Sequence, residues 1–193
     1  MGAESVDERL FWSARHGDVA GVSAALASGA AVDWPHPLDG RTPLAAAVAE
    51  DHLEAAEALL AAGANVEAAE AETGLSVLGL AVVLGSARCL NRLLKAGADL
   101  EARDADRWTP LMHAAARNQL YEAQQLLAAG ADLEASIDGI RARDLAAVEA
   151  HDAILAFLDV EAGRRKRYID IDRYTLQHAV KKRRWLRLSA FLA

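Results

Sequence analysis

The chain has 193 residues, 53% hydrophobic and only 5% aromatic, with 25% charged and a formal net charge of −7. A single cysteine, Cys89, excludes an intramolecular disulfide, and no stretch approaches the ~18 uninterrupted apolar residues of a membrane span. Residues 1–9 carry Glu4, Asp7 and Glu8 and no apolar leader core, so the chain reads as soluble and cytoplasmic.

Taken in chain order, the sequence divides into units of similar build. The first, 7–39, opens on a helix carrying Phe11 and Trp12, both expected in the core. It continues through Ala14-Arg15-His16-Gly17-Asp18 into a second helix closed by Gly29. The second, 40–72, begins Thr42-Pro43-Leu44-Ala45-Ala46-Ala47. Leu53-x-x-Ala56-x-x-Leu59-Leu60 then follows the apolar stripe of an amphipathic helix, ending before Gly63. The third, 73–106, carries Cys89 beside Leu90 and Leu93 on a helix closed by Gly97, where a free thiol serves as a small packed hydrophobe. The fourth, 107–138, restates the second as Thr109-Pro110-Leu111-Met112-His113-Ala114, then Leu120-x-x-Ala123-x-x-Leu126-Leu127 and Gly130. The fifth, 139–171, keeps Asp144-Leu145-Ala146 and His151 but has Arg141-Ala142 in place of Thr-Pro, and Gly163 one residue late. The sixth, 172–193, shows in Leu176-Gln177-His178-Ala179-Val180 and in Trp185 to Leu192, with Trp185 a core position. Ser13, Ala47, Ala81, Ala114, Ala146 and Ala179 hold corresponding places in the six units, so the step from one to the next is nearly constant.

A period of about 33 residues carrying a T-P-L-H-x-A segment resembles the ankyrin-repeat family. The resemblance runs from about Asp7 to Ala193 and implies an all-α solenoid of stacked helix-turn-helix units with short hairpin loops, forming one domain over 1–193. Glycines 29, 63, 97 and 130 are then left-handed helix ends. Gly63-Ala64-Asn65-Val66-Glu67, Gly97-Ala98-Asp99-Leu100-Glu101 and Gly130-Ala131-Asp132-Leu133-Glu134 look like the family's G-A-D-V-N hairpin, with Glu in the usual place of Asn. Glu67, Glu101 and Glu134 would form a row along the solenoid, either solvated or facing a basic partner. His52 and His151 in the inter-helix turn, and His113 and His178 in or beside the T-P-L-H segment, take roles that are structural in the family.

No chemistry-bearing constellation emerges. His16 and His36 lack metal-ligand spacing, and no nucleophile elbow or phosphate loop is present, so no catalytic residue, metal or cofactor is assigned. Asp104-Ala105-Asp106 and Asp170-Ile171-Asp172 lack the Gly and Glu of a calcium loop and read as hairpin tips.

In the ankyrin family the hairpin tips and the exposed positions of the first helices line one concave face where partners dock. Matching positions here are Arg15 and His16, then Leu38, Asp39, Arg41 and Glu50, then Glu72, Thr73, Leu75 and Leu84. The later units contribute Asp106, Trp108 and Arg117, then Ile137, Asp138, Ile140 and Glu149, and finally Ile171, Arg173, Lys181 and Lys182. Trp108 either contacts a partner or packs on the neighbouring hairpin. Trp34-Pro35-His36-Pro37 is either a recognition element or a local repacking.

Charge is strongly segregated. Ten of the 21 Lys and Arg lie in 163–193 against Asp170 and Asp172, leaving that end formally +8 and the part before it −15. The acidic part favours a protein partner with a basic or mixed basic and apolar surface and disfavours nucleic acid as the main ligand. The leading expectation is a monomeric, non-enzymatic binding protein, an inhibitor of antitoxin or immunity type. The alternative is an adaptor whose basic end contacts nucleic acid or joins a further domain.

Overall fold

The computed structural model describes residues 5–163. They form five helix pairs: α1 (Val6–Arg15) with α2 (Val19–Ala27), α3 (Pro43–Ala49) with α4 (Leu53–Ala61), α5 (Val77–Leu84) with α6 (Ala87–Lys95), α7 (Pro110–Ala116) with α8 (Leu120–Ala129), and α9 (Ala142–Val148) with α10 (Asp152–Glu161). The only strands in this stretch are β1 (Ser136–Ile137) and β2 (Ile140–Arg141), paired antiparallel. First helices stack on first helices, α1 on α3 through to α7 on α9, and second helices stack in a parallel row. The fold is an all-α repeat solenoid. The sixth unit, with Arg173, Lys181 and Lys182, lies outside the described residues, as does Ile171 at the end of the fifth. Among those described, no helix is long and apolar enough to cross a membrane.

Each first helix starts where a side chain can cap it. Thr42, Ser76 and Thr109 accept from the amides of Ala45, Gly79 and Met112, three residues on, satisfying donors that the helix leaves free. Ser5 does the same for Glu8, whose carboxylate accepts from the Ser5 amide in return. Repeat five lacks the hydroxyl, and Asp144 instead accepts from the Arg141 amide at 3.0 Å.

Second helices end as expected. Gly63 has φ 88°, and the amides of Gly63 and Ala64 reach back to Leu60 O and Leu59 O, closing a Schellman turn. The same pattern recurs at Gly29, Gly97 and Gly130.

The core is one continuous cluster running the length of the stack. Ala47, Ala81, Ala114 and Ala146 are completely buried, so the residues that mark the sequence period all lie in the core shared by the stacked helices. Ser13 is only half-buried, because among the described residues no helix stacks on that side of α1. Phe11 is fully buried, as expected, whereas Trp12 is only partly so.

Two polar interlocks tie repeat to repeat. At the hairpin bases, Asp33 accepts from the Asn65 amide, Glu67 from Asp99 and Glu101 from Asp132, at 2.7–2.9 Å, while Asp7 on α1 accepts from the Ala31 amide within the first repeat. Glu67 and Glu101 are therefore neither simply solvated nor waiting for a basic partner. Each is the acceptor for the next repeat's hairpin, and Glu134 likewise reaches forward, pairing with Arg141 of the next repeat at 2.8 Å. At the inter-helix turns, Asp51 accepts from the Cys89 amide and from Arg88 Nε, capping α6 of the following repeat. In the opposite sense, His151 Nδ1 donates to Ala115 O of the preceding repeat at 3.1 Å.

Those inter-helix turns share one demand. Gly17, Asp51, Gly85, Asn118 and Ala150, at the repeat spacing, all have positive φ. Gly17 is doubly constrained: its φ is +71°, and a Cβ there would lie 2.7 Å from His52 Nδ1 of the next repeat. Gly17→Ala should lower stability by about 1–3 kcal/mol. Urea unfolding of the double variant with His52→Ala should recover the steric part of the loss and leave the φ penalty.

Burial, with help from the Asp132 and Asp99 charges, raises the Glu101 carboxyl above 4.5. A raised folded-state value stabilises the protonated form, and that contribution is lost as pH rises through it. Glu101→Gln, which keeps the acceptor and removes the charge, should unfold at a higher urea concentration than the wild type at pH 7, the difference fading below pH ~4.5. Glu101→Ala should cost about 0.5–1.5 kcal/mol.

Candidate functional site

Four hairpins project from the stack between consecutive repeats, three of them closed by a backbone bond at a buried polar residue. His36 N–H donates to Arg41 O at 2.9 Å, Glu70 to Leu75 O at 2.9 Å and Asp104 to Trp108 O at 3.1 Å. His36, Glu70 and Asp104 fall at the repeat spacing and are all buried. The sequence singles out His36 only for its lack of metal-ligand spacing and its place in the Trp34-Pro35-His36-Pro37 segment, and Glu70 not at all, although the two share the repeat spacing.

Each brace works differently. Glu70 receives Arg41 Nε at 2.5 Å and the Thr73 hydroxyl at 2.7 Å, joining one hairpin to the next. Asp104 Oδ1 accepts from the Asp106 and Trp108 amides, and its Oδ2 meets His113 Nε2 at 2.8 Å. His113 thus serves a side-chain carboxylate as well as its own helix. His36 lies flat on Phe11, with ring centroids 4.2 Å apart, and stands nearly perpendicular to Trp12 and Trp34. Within the Trp34-Pro35-His36-Pro37 segment, His36 is thus packed onto α1 while Pro35 and Pro37 stay exposed.

At the exposed ends of the first helices stand Arg15, His16, Glu50, Leu84, Arg117 and Glu149. Arg15 Nε lies 3.9 Å from Glu50 Oε1, with its guanidinium 5.4 Å over the Trp12 ring. His16 is exposed, bonding Trp12 O through Nδ1 at 2.8 Å. Arg117 caps α7 and is half-buried. Arg15, Asp39, Arg41 and Glu50 come together around one shallow dimple floored by Phe11, Ala46 and Ala49.

At the tips, Leu38 is 88% exposed, and Glu72 and Asp138 are exposed beside it in the series. Asp39 is turned inward, accepting from the Arg41 amide at 3.2 Å. Asp106 is half-buried, its amide committed to Asp104. Ile137 and Ile140 face each other across the β1–β2 pair, half-buried against the core.

One candidate is corrected. Leu75 is only 4% exposed and cannot contact a partner. It precedes the cap Ser76, and its amide is taken by the Thr73 hydroxyl while its side chain packs over Gly79. Arg41 and Trp108 occupy the same position in their repeats. Arg41 is spent on Glu70, and Trp108 is half-buried and packed on His113, 5.3 Å between ring centroids. Trp108 thus packs on His113 of its own repeat. Arg173 lies outside the described residues.

Residues 78–172 match the family described as Ankyrin repeats (3 copies), and residues 39–70 match Ankyrin repeat. The chain belongs to the ankyrin-repeat family. No curated protein matches it. Ankyrin repeats are generally protein–protein interaction modules, and the tips and first-helix ends described above are among the parts of the solenoid whose side chains the stack leaves exposed. Among the described residues, no group of three or more His, Cys, Asp or Glu is placed to hold a metal ion.

Cys89 is buried, and desolvation together with the Asp51 carboxylate pushes its thiol up to about 12. The thiolate needed for reaction is therefore scarce in the fold. Native protein at pH 8 should react with an aromatic disulfide reagent at least about 100-fold more slowly than the urea-unfolded chain, in a stopped-flow comparison.

Proposed function

We propose that this ankyrin-repeat chain is a non-enzymatic scaffold that captures one protein partner on its concave face and inhibits it by occlusion, as antitoxin and immunity proteins do. The observation that carries the reading is Leu38. A leucine left 88% exposed on a hairpin stiffened by Pro35 and Pro37, and held by the His36 and Arg41 braces, is a poor use of an apolar side chain unless something covers it. A rigid tip also loses little entropy on binding, the condition under which a single anchor contributes most.

Surrounding charge supports a partner surface that is basic and apolar. Glu72, Asp138 and Glu149 carry no ion pair among the described residues, while Arg41 is engaged with Glu70 and Arg15 faces Glu50. Leu84, 37% exposed at the end of α5, adds apolar surface on the next repeat. Trp108 and Ile140 contribute what remains uncovered of their side chains.

Affinity capture from native lysate followed by calorimetry with the purified partner provides the test. Leu38→Glu should weaken binding at least tenfold, about 1.4 kcal/mol, with helical content unchanged. Val160→Glu, at a 76% exposed position on the outer helix α10, should leave it unaltered. Retained affinity in Leu38→Glu, or loss in Val160→Glu, would place the interface elsewhere.

A further inference from the structure

The His36 ring is the pin that fastens the second-repeat tip to α1, and it is a titratable one. The residue is 7% exposed and enclosed by Phe11, Trp12 and Trp34, yet its buried Nδ1 makes no hydrogen bond. The nearest acceptor is Asp39 Oδ1 at 3.4 Å, an oxygen already shared with the Arg41 amide. A neutral ring either turns a lone pair toward that carboxylate or offers it an uncharged N–H at long range. An imidazolium offers a charge-assisted donor to Asp39 and a cation to the ring faces around it.

The charged groups around the pin do not already settle the balance. From its own hairpin come Asp39 and Arg41, the latter drawn away by Glu70 of the next hairpin at 2.5 Å. From α1 come Arg15 and His16, both against the far ring Trp12, and from the end of α3 comes Glu50, which faces Arg15 at 3.9 Å. Asp39, Glu50 and Glu70 outnumber Arg15 and Arg41 by one negative charge.

We propose that protonation of His36 is a pH-sensitive latch that tightens the hairpin carrying Leu38 against α1. Closing the latch converts the orphaned Nδ1 into a donor to Asp39 and secures the backbone bonds that end in the tip, Gly40 N–H to His36 O at 2.8 Å and His36 N–H to Arg41 O at 2.9 Å. The latch belongs to the free chain and does not depend on what the tip binds.

Amide hydrogen exchange of the full chain between pH 7.5 and 5.5, corrected for intrinsic rates, reads it directly. Protection of the Gly40 amide should rise by about fivefold as pH falls, with no such change at Gly74, the corresponding tip residue of the next repeat. Asp39→Asn, which keeps the shape and removes the charge, should flatten that rise, as should His36→Phe, which keeps the stack and removes the proton. His16→Gln, which removes the other imidazole beside Trp12, should leave it intact. A Gly40 protection independent of pH in the wild type would overturn the latch. So would the same rise in Asp39→Asn, or its loss in His16→Gln.

Discussion

Close approach between consecutive first helices is the constraint on which everything else in this molecule rests. Ala47, Ala81, Ala114 and Ala146, one on each of these helices, lie in the shared core with no exposed surface. Alanine permits that approach without a side chain to repack and without the backbone entropy of glycine. Because each helix pair buries little on its own, the core becomes continuous only when pairs stack, and the spacing of the alanines fixes the distance from one hairpin to the next.

Stacking leaves a polar problem at every junction, since loops between helices carry amides that cannot all reach water. The chain solves it with carboxylates that serve the following repeat: Asp33, Glu67 and Glu101 at the hairpin base, and Asp51 at the inter-helix turn. The hairpins are then held from below by their neighbours and from within by His36, Glu70 or Asp104. Their backbones are committed, and so their outermost side chains are free to vary with the partner. Much of the body's negative charge is thus structural. In the proposed binding mode, recognition falls to what remains exposed, chiefly Leu38, Glu72 and Asp138 at the tips.

How much of this was legible from sequence depended on how local each interaction is. Thr42 and Thr109 cap the helices they open, and Gly63 ends the helix it follows, so their roles could be read within a few residues of each. The alanine period needed only repetition. Glu67 and Glu101 were misjudged because the amide each serves belongs to the next repeat, a neighbour whose orientation the sequence does not display. Leu38 and Leu75 are the same residue type in similar hairpins, but one occupies the turn and the other the closing position before a cap, and only the fold separates them. His36 was opaque for a similar reason: its enclosing rings Phe11 and Trp12 come from the helix of the preceding repeat.

The most direct measurement of the central claim is the urea unfolding free energy of Ala81→Leu, placed in the middle of the stack between α3 and α7. If buried alanine sets the helix approach, the added methylenes must push apart contacts on both sides. The variant should then lose about 1–3 kcal/mol, with the unfolding slope unchanged. A variant as stable as the wild type would show that the seam tolerates large side chains and that the close approach does not hold the solenoid together.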